Sequence, residues 1–334
     1  MQTYFFTGAA GFIGSHTAYC FLKNSDCKII VLDNLCTGFL ENIQFLQEKF
    51  PNRIEFVQGN FGDSSCLETI FLKHKIDGIV HFAGSLVVSE SVVNPLLYYN
   101  NNVANTLKLL EVVAKYGVNR LLFSSTAAVY GQPNFSEPIS EESQTLPINP
   151  YGESKLMVEK ILRDFEVANP NFRSVILRYF NVAGALSEGG LGQRSKNATH
   201  LIKVACECAC RKREKMGIFG EDYPTKDGTC IRDYIHIDDL ANAHFETLKT
   251  LEKEEYSQIY NVGYGVGFSV KEVIECVKKV SGVDFEVEIQ PRRAGDPAML
   301  VSNNHKILTH TNWKPKYNDL ELICKSAYEW EKKV

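Results

Sequence analysis

Tyr151 and Lys155 have the types and the spacing of a general base and of the ammonium that activates it. They lie in the run 149–155, and residues four apart on a helix share one face, one turn apart. A fixed positive charge beside a phenol favours the phenolate, so we expect Lys155 to lower the pKa of Tyr151 from its ordinary value of about 10. Tyr151 would then accept a proton near neutral pH. This chemistry suits the oxidation of a substrate alcohol.

Hydroxyl side chains precede this pair at the end of a predicted buried strand. The apolar run at 120–123 leads into Ser124, Ser125 and Thr126. The Thr126 hydroxyl could hydrogen-bond a substrate oxygen, or it could only cap the turn that follows. Because Tyr-x-x-x-Lys occurs by chance in many helices, the pair gains its meaning from this strand end and from a glycine-rich turn near the N-terminus.

That glycine-rich turn lies between the first predicted strand and the first predicted helix. Gly8, Gly11 and Gly14 are spaced as Gly-x-x-Gly-x-x-Gly, which allows a tight turn, and a helix N-terminus offers unpaired amides to a pyrophosphate. Asp33, nineteen residues after Gly14, can accept hydrogen bonds from an adenosine ribose. This acid would repel a 2′-phosphate, which favours NAD over NADP. The alternative is a turn used only for packing.

The elements that position these residues alternate between strand and helix. Short apolar runs predict strands, and runs with a period of 3.6 predict helices. The predicted strands are 3–7, 28–33, 54–58, 78–82, 120–125 and 174–179, and the predicted helices are 12–24, 66–74, 95–116 and 151–168. This alternation predicts an α/β fold with a Rossmann-like doubly wound parallel sheet.

The alternation breaks after residue 180, and the break predicts a second lobe. We expect an NAD-binding Rossmann domain over 1–180, to which a strand near 258–263 returns. A smaller C-terminal α/β substrate lobe would occupy mainly 181–334, interleaved with the first domain. Ser269, with Glu272 three residues later, predicts a capped helix start.

Composition excludes several classes of function. Of 334 residues, 44% are hydrophobic and 23% charged, and the formal net charge is −4, which argues against nucleic acid as a partner. Apolar runs of about 18 residues are absent from the sequence, which argues against a membrane span. A strand predicted from Thr3 leaves no room for a targeting segment, so we expect a cytoplasmic protein. The ten cysteines, Cys206, Cys208 and Cys210 among them, lack a second ligand pair at metal-binding spacing and are predicted to be reduced thiols.

Several motifs together resemble the extended short-chain dehydrogenase/reductase family. They are the glycine-rich turn at 7–14, Ser-Ser-Thr-Ala-Ala-Val-Tyr-Gly at 124–131, Tyr-x-x-x-Lys at 151–155 and Arg-Tyr-Phe-Asn at 178–181. The segments 218–236 and 292–296 narrow the resemblance to its UDP-galactose/UDP-glucose 4-epimerases, over residues 3 to about 330. The resemblance implies a tightly held NAD, a UDP-hexose substrate and a homodimer.

The resemblance also implies a reaction and its catalytic residues. Tyr151 would remove the proton of the sugar 4-hydroxyl while hydride passes to NAD, giving a 4-keto sugar that is then reduced on its opposite face. Lys155 would hold down the pKa of Tyr151 and bond the nicotinamide ribose, and Thr126 would hydrogen-bond the 4-oxygen. Related dehydratases and decarboxylases carry acids just after this threonine, whereas this chain has Ala127 and Ala128. Their absence argues against both of those reactions.

The cofactor contacts are likewise implied by the resemblance. They are Gly8, Gly11, Phe12, Ile13, Gly14, Asp33, Asn34, Asn60, Phe61, Phe82, Ala83, Gly84, Asn102, Ser124, Tyr151, Lys155 and Tyr179. Asn60 stands where an Asp usually meets the adenine, and Leu86 stands where some members have a Lys that reaches the cofactor. An amide still donates and accepts, so we expect adenine binding to persist. His81, beside this set, is better interpreted as a hydrogen-bonded core histidine than as a catalyst.

The implied substrate contacts are Thr126, Tyr151, Asn181, His200, Leu201, Phe219, Arg232, Arg293 and Asp296. Arginine pairs well with a diphosphate, although an isolated arginine is often a solvated surface charge. Phe219 matches an aromatic beside the uracil, and Asp296 matches an acid on the uridine ribose. His200 replaces the Asn found in many members.

Two alternatives remain open at this point. The residue beside the sugar C2 is Met299 or Leu300, neither as large as Tyr nor as small as Cys or Ser, so UDP-N-acetylglucosamine and UDP-N-acetylgalactosamine stay possible substrates, alone or in addition. A catalytically idle regulator that binds nucleotide sugars on the same fold is the alternative from another class. The complete catalytic set counts against it.

For the dimer, we expect the helices 95–116 and 151–168 to pack against their symmetry mates as a four-helix bundle.

Overall fold

The computed structural model describes residues 1–133, 137–195, 198–251, 257–293 and 296–334. Residues 294 and 295 of the 292–296 motif lie outside these ranges. The strands are β1 (Gln2–Thr7), β2 (Cys27–Asp33), β3 (Ile54–Gln58), β4 (Gly78–His81), β5 (Arg120–Thr126), β6 (Arg173–Tyr179), β7 (Asn181–Ala183), β8 (Lys215–Phe219), β9 (Ile231–His236), β10 (Gln258–Val262), β11 (Gly267–Ser269), β12 (Glu286–Gln290) and β13 (Met299–Leu300). The helices are α1 (Phe12–Asn24), α2 (Leu40–Lys49), α3 (Ser64–Lys73), α4 (Val88–Val93), α5 (Pro95–Tyr98), α6 (Asn105–Tyr116), α7 (Pro150–Ala168), α8 (Leu201–Ala209), α9 (Ile237–Leu251), α10 (Val270–Ser281), α11 (His305–His310) and α12 (Leu320–Glu331), with a π-helix at Tyr99–Ala104 and a 3₁₀ helix at Ala127–Tyr130.

A seven-stranded sheet runs in the order β10-β6-β5-β4-β1-β2-β3. β1 pairs in parallel with both β2 and β4, β2 with β3, and β4 with β5. The chain builds one half of the sheet outward from β1 and the other half outward from β4, so the strand order reverses between these neighbours. Such a reversal opens a crevice at the carboxyl ends of the strands. The predicted Rossmann-like doubly wound sheet is confirmed.

Helices cover both faces of this sheet, as two adjacent residues of β1 illustrate. Successive strand side chains point to opposite faces, and both Phe5 and Phe6 are fully buried. Phe5 packs edge-on against Phe71 of α3 at 5.3 Å between ring centroids, and Phe6 packs against Phe21 of α1 at 5.2 Å. The strands therefore read as continuous apolar runs because neither face meets water.

The chain divides into two compact units. The first contains 1–131, 144–178 and 241–260, and the second contains 132–143, 179–240 and 261–334. Most of α9 belongs to the first unit. There the Phe245 ring packs on Phe21 at 5.2 Å, and the His244 ring packs on Phe82 at 5.1 Å.

The second unit has its own small sheets and helices. β9 lies between β11 and β13 and also pairs with β7, while β8 pairs in parallel with β12. The predicted helix start at Ser269 is confirmed, because its hydroxyl accepts from the Glu272 amide while the Glu272 carboxylate accepts from the Ser269 amide. Gly282 ends α10 in the left-handed conformation, with φ of 68°. Within the described residues, no helix combines the length and the apolar character that crossing a bilayer requires.

The helix predicted over 95–116 is not one regular α-helix. A π-helical segment, Tyr99–Ala104, separates α5 from α6. Such segments often occur at functional sites. Here the segment carries Asn102, which is buried and hydrogen-bonded to residues distant in sequence, so local periodicity could not reveal it.

His81 is a core residue, as interpreted from the sequence. It is 1% exposed, its Nδ1 lies 2.6 Å from the Thr7 hydroxyl, and its Nε2 lies 3.0 Å from the Thr106 hydroxyl. Burial lowers the pKa of His81 to about 3. His81 is therefore an uncharged side chain at neutral pH that bridges two buried hydroxyls.

Candidate active site

The glycine-rich turn after β1 has the geometry of a dinucleotide cradle. Gly8 has φ of 78°, and a Cβ there would lie 2.6 Å from the backbone nitrogen of Ala83, which follows β4. A Cβ on Gly14 would lie 2.6 Å from the Gly8 carbonyl oxygen, so α1 can approach the turn this closely only with glycine. α1 begins after Gly11 without a side-chain cap. Its first amides can therefore serve an anion such as a pyrophosphate.

Asp33 lies at the end of β2, next to this turn. Its carboxylate accepts from the amide of Ala10 at 3.0 Å and from that of Leu35 at 2.8 Å. Burial raises the pKa of Asp33, while these two amides lower it. The carboxylate is thus fixed at the carboxyl end of the sheet, where an adenosine ribose would bind.

Asn102 links the segment after β4 to the start of α7. Its side-chain oxygen accepts from the Ser85 amide at 2.7 Å, and its amide donates to the Ser154 hydroxyl at 2.9 Å. A Cβ on Gly84 would lie 3.0 Å from this oxygen. Asn102 therefore orders the residues that a nicotinamide-side ribose would meet.

The first unit brings the predicted cofactor residues to the carboxyl ends of its strands. In chain order around the strand ends, they are Gly8, Gly11, Phe12, Ile13 and Gly14 after β1 and at the start of α1; Asp33 and Asn34 at the end of β2; Asn60 and Phe61 after β3; Phe82, Ala83 and Gly84 after β4; Asn102 in the π-helix; Ser124 near the end of β5; and Tyr151 and Lys155 in α7. The Phe61 side chain is buried in the core against the His81 ring at 5.2 Å, so a contact from this position would come from its backbone. Tyr179 is the last residue of β6 and belongs to the second unit.

Tyr151, Lys155 and Thr126 come together around the end of β5. Thr126 is hydrogen-bonded to Tyr151 and also accepts from the Ala128 amide at 3.2 Å, so it both caps the 3₁₀ helix and contacts the phenol. Lys155 is 5% exposed, and its ammonium donates to the Ser124 carbonyl at 2.9 Å and lies 4.9 Å from the centroid of the Phe123 ring. Asn149 caps α7 by accepting from the Gly152 amide at 2.9 Å, which fixes the first turn that carries Tyr151.

The expected lowering of the Tyr151 pKa is wrong for the protein alone. Burial raises the pKa of Tyr151, and the hydrogen bond with Thr126 lowers it only in part. Burial also lowers the pKa of Lys155 to about 8, against the opposite effect of Glu159. Helical spacing shows which face the two residues share, but it does not show that both lose water, and loss of water disfavours both charged forms.

Two further residues of this region were missed from the sequence. Tyr98 is fully buried and packs edge-on against Tyr151 with 6.4 Å between ring centroids, while its hydroxyl donates to the Val87 carbonyl at 2.6 Å. Glu159 lies one turn after Lys155 and is completely buried. The spacing of Glu159, four residues after Lys155, could have indicated from the sequence that it lies near the site. No sequence feature indicates this for Tyr98.

In the second unit, the predicted substrate residues form two contacting pairs. Arg232 of β9 donates to the Asp296 carboxylate at 3.1 Å, and the Arg293 guanidinium carbon lies 3.6 Å from the centroid of the Phe219 ring. Asp233, next to Arg232, is fully buried and accepts from the Ser302 hydroxyl at 2.6 Å, which holds β9 in place.

The other predicted substrate residues of the second unit, Asn181, His200 and Leu201, have contacts of their own. Asn181 of β7 donates to the Asp233 carbonyl at 3.4 Å, and β7 pairs directly with β9. His200 precedes Leu201 at the start of α8, and its Nδ1 lies 3.0 Å from the Gln193 side-chain nitrogen. The structure thus places Asn181 beside β9 and leaves His200 and Leu201 in a separate segment.

Binding of a metal ion requires several ligand side chains that lie close together. Among the residues that the structure describes, no group of three or more His, Cys, Asp or Glu side chains could hold a metal ion. All ten cysteines are free thiols. Burial raises the pKa of Cys206, Cys208 and Cys210, so these thiols lose a proton less readily than an exposed cysteine.

Comparison with known proteins gives a family over most of the chain. Residues 4–263 match the NAD dependent epimerase/dehydratase family. A UDP-glucose 4-epimerase of Azospirillum brasilense is 46% identical over 328 residues, which cover 98% of this chain and 91% of that protein.

Solved structures agree with this assignment. A UDP-Glc/GlcNAc 4-epimerase of Campylobacter jejuni is 54% identical, with a TM-score of 0.87 and full coverage of both chains. A UDP-glucose 4-epimerase of Bifidobacterium longum in complex with NAD+ and UDP is 37% identical, with a TM-score of 0.93 and coverage of 99% of this chain and 98% of that one. The cradle at Gly8 and the buried set around Tyr151 thus belong to an NAD-dependent enzyme, and the chain is a member of the NAD dependent epimerase/dehydratase family.

Proposed function

We propose that this enzyme is an NAD-dependent isomerase that interconverts UDP-galactose and UDP-glucose at C4. The observation that carries the proposal is the contact of Tyr151 with Thr126 at the end of β5, with buried Lys155 one turn away. Three relatives of 42% to 46% identity over nearly the whole chain are UDP-glucose 4-epimerases, which supports the same reaction here.

In the proposed mechanism, Tyr151 exchanges the proton of the sugar 4-hydroxyl. NAD, when bound, would supply the hydride acceptor and donor for C4, so no second redox substrate would be consumed. Thr126 bonds both the phenol and the 4-oxygen, which places the proton between donor and acceptor. Lys155 supplies the positive charge that a phenolate requires. Because the Lys155 ammonium donates to the Ser124 carbonyl at 2.9 Å, its charge is held in one place.

The residues that would hold NAD belong to the first unit. The uncapped start of α1 and the turn around Gly8 would take the pyrophosphate, and Asp33 would take the adenosine ribose. Asn102 and Lys155 would take the nicotinamide-side ribose. The glycine positions that a Cβ would obstruct are the ones a dinucleotide needs open.

The residues that would hold UDP belong to the second unit. Arg232 and Arg293 would bind the diphosphate, Phe219 would pack beside the uracil, and Asp296 would bond the uridine ribose. A bound diphosphate would compete with Asp296 for the Arg232 guanidinium. Asn181 is proposed to bond the substrate near the diphosphate.

Two alanines favour epimerisation over dehydration. Ala127 and Ala128 begin the 3₁₀ helix directly after Thr126. Elimination of water across C5 and C6 needs an acid and a base near the sugar, and these methyl side chains supply neither.

The test of the proposal is incubation of the purified protein with UDP-galactose without added cofactor, followed by chromatographic separation of the nucleotide sugars. We expect UDP-glucose to appear, because the cofactor is retained and regenerated. Absence of conversion even after addition of NAD would overturn the proposal.

Acetylated sugars are a second candidate substrate class. The relative from Campylobacter jejuni is a UDP-Glc/GlcNAc 4-epimerase, and Met299 of β13 is a half-buried, flexible side chain. We expect turnover of UDP-N-acetylgalactosamine in addition to UDP-galactose. A strong preference for the acetylated sugar would make the acetylated substrate the main one and contradict the leading proposal.

We also propose a cytoplasmic homodimer. Exposed apolar side chains on α4 and α5 support it, because Val92 is 59%, Val93 82% and Leu96 71% exposed, and a second copy could cover such a surface. Light scattering at micromolar concentration is expected to give twice the mass of one chain; the mass of a single chain would count against the dimer.

A further inference from the structure

A buried ion pair lies directly behind the candidate catalytic residues. Arg178 of β6 donates to the Glu159 carboxylate of α7, from Nη2 at 2.6 Å and from Nε at 3.1 and 3.2 Å. Glu159 is completely buried and Arg178 is 2% exposed. Burial of two opposite charges is costly unless both are well bonded, so a buried ion pair is weak evidence for a stabilising role. We therefore consider a role in the adjacent candidate active site.

The pair holds both sides of Thr126. The Glu159 carboxylate accepts from the hydroxyl of Ser125, immediately before Thr126, at 2.5 Å. Arg178 donates to the hydroxyl of Tyr130 at 3.0 Å, and Tyr130 ends the 3₁₀ helix that follows Thr126. The end of β5 and the 3₁₀ helix are thus both hydrogen-bonded to one ion pair, and Thr126 lies between the two bonded residues in the sequence.

The pair also acts on the charge of Lys155. Glu159 lies four residues after Lys155 on α7, so the two side chains share a face with about 6 Å between their Cβ atoms. The carboxylate favours the ammonium form of Lys155, against burial, which disfavours it. The other charged or titratable groups near Lys155 are Tyr151, His81 and Arg178. His81 is neutral because its pKa is about 3, and Arg178 bonds the Glu159 carboxylate.

We propose that Glu159 and Arg178 are positioning residues of the 4-epimerase reaction: they hold Thr126 against Tyr151 and keep Lys155 protonated. Neither residue contacts the sugar or NAD in this assignment. The inference rests on the proposed function, because it needs Thr126, Tyr151 and Lys155 to be the catalytic set.

The chain provides a matched control on the same two elements. Glu166 of α7 pairs with Arg173 of β6 at 3.6 Å, with 23% and 25% of their side chains exposed. This second pair joins the same helix to the same strand but lies near the surface and two helical turns beyond Glu159. Glu166→Gln is therefore the control for Glu159→Gln.

The experiment measures kcat for UDP-galactose against pH in the wild type, Glu159→Gln and Glu166→Gln. Loss of the carboxylate should move the basic limb of the profile to lower pH by about one unit, because Glu159 raises the pKa of Lys155 and a nearby opposite charge shifts a pKa by about one to three units. Glu166→Gln should keep the wild-type profile. A Glu159→Gln profile that is lower at every pH but unshifted, as a purely structural role predicts, would overturn the charge role.

Glu159→Gln leaves Arg178 buried without its partner and could fail to fold. The double variant Glu159→Gln with Arg178→Gln removes that unpaired charge. Its basic limb should lie between those of the wild type and Glu159→Gln, because Lys155 loses the carboxylate and the guanidinium together. A double variant with the wild-type profile would overturn the proposal. Inactivity of the wild type on UDP-galactose would instead refute the proposed function, so the two failures are distinguishable.

Discussion

The two units hold their site residues in different ways. In the first unit, Lys155 and Asn102 are 5% and 3% exposed and are each fixed by hydrogen bonds to buried neighbours. In the second unit, the Arg232 and Asp296 side chains are 11% and 36% exposed and bond one another. The side chains proposed for chemistry are therefore fixed by protein hydrogen bonds before a substrate binds. The side chains proposed for substrate binding instead bond each other, and a ligand can replace those contacts.

The largest effect is expected from Tyr151→Phe. This change removes the proton-accepting oxygen from the organised unit and leaves its ring packing against Tyr98 intact. We expect kcat to fall by about 10²–10⁴, the range of general acid–base catalysis, with NAD still retained. Turnover by chromatography and cofactor absorbance after denaturation measure the two quantities. Near-normal turnover would contradict the assigned base.

A smaller effect is expected from Arg293→Met in the second unit. A charge-assisted hydrogen bond contributes about 1.5–3 kcal/mol, so KM for UDP-galactose should rise about 10- to 100-fold while kcat changes little. The neighbouring Arg292 is the control, because it bonds Asp222 at 2.6 Å and its guanidinium carbon lies 4.1 Å from the centroid of the Tyr223 ring. Arg292→Met should leave KM nearly unchanged. Equal effects of the two changes would break the assignment of Arg293 to the diphosphate.

Gly8→Ala tests the cofactor cradle. The methyl group would meet the Ala83 nitrogen at 2.6 Å, so the turn must open where the pyrophosphate is proposed to bind. We expect NAD affinity to weaken by about tenfold or more, which corresponds to about 1.4 kcal/mol. Gly117 has a similar φ of 67° but open space around its Cβ position. Gly117→Ala should therefore cost stability without loss of NAD, and NAD loss in both variants would indicate backbone strain as the common cause.

The sequence predicts features that depend on near neighbours in the chain. The turn at Gly8 and Gly14 and the shared helical face of Tyr151 and Lys155 follow from local conformation and spacing. The capping box at Ser269 follows from a four-residue pattern. The order of the main sheet was predictable only as a class, because alternation of strand and helix selects a doubly wound sheet without specifying which edge each strand joins.

Features that depend on distant residues could not be predicted. The Tyr151 pKa has the opposite direction because tertiary packing removes water from the phenol. The π-helix carries Asn102, whose side chain bonds Ser85 and Ser154, residues distant in sequence. The assignment of α9 to the first unit depends on the packing of Phe245 against Phe21, residues that lie far apart in the sequence.

The smallest effect is expected from a surface cluster of the first unit that belongs to neither site. The Glu55 carboxylate of β3 bonds Lys73 at 2.5 Å and Lys28 at 3.2 Å, and these contacts, the one to Lys73 first, lower its pKa from 4.5 to about 2. A depressed carboxyl pKa contributes stability above pH 4.5, and the contribution is lost as the pH falls from about 4.5 to about 2. Because Lys73 is 62% exposed, solvent screening limits the expected cost of Glu55→Gln at pH 7 to about 1 kcal/mol. Urea unfolding, which adds no salt, should show this difference at pH 7 and a smaller one at pH 3, with turnover unchanged. If Glu55→Gln lowers the free energy of unfolding equally at pH 7 and pH 3, packing and not charge stabilises this surface. If Glu55→Gln also loses turnover, Glu55 is not independent of the candidate active site.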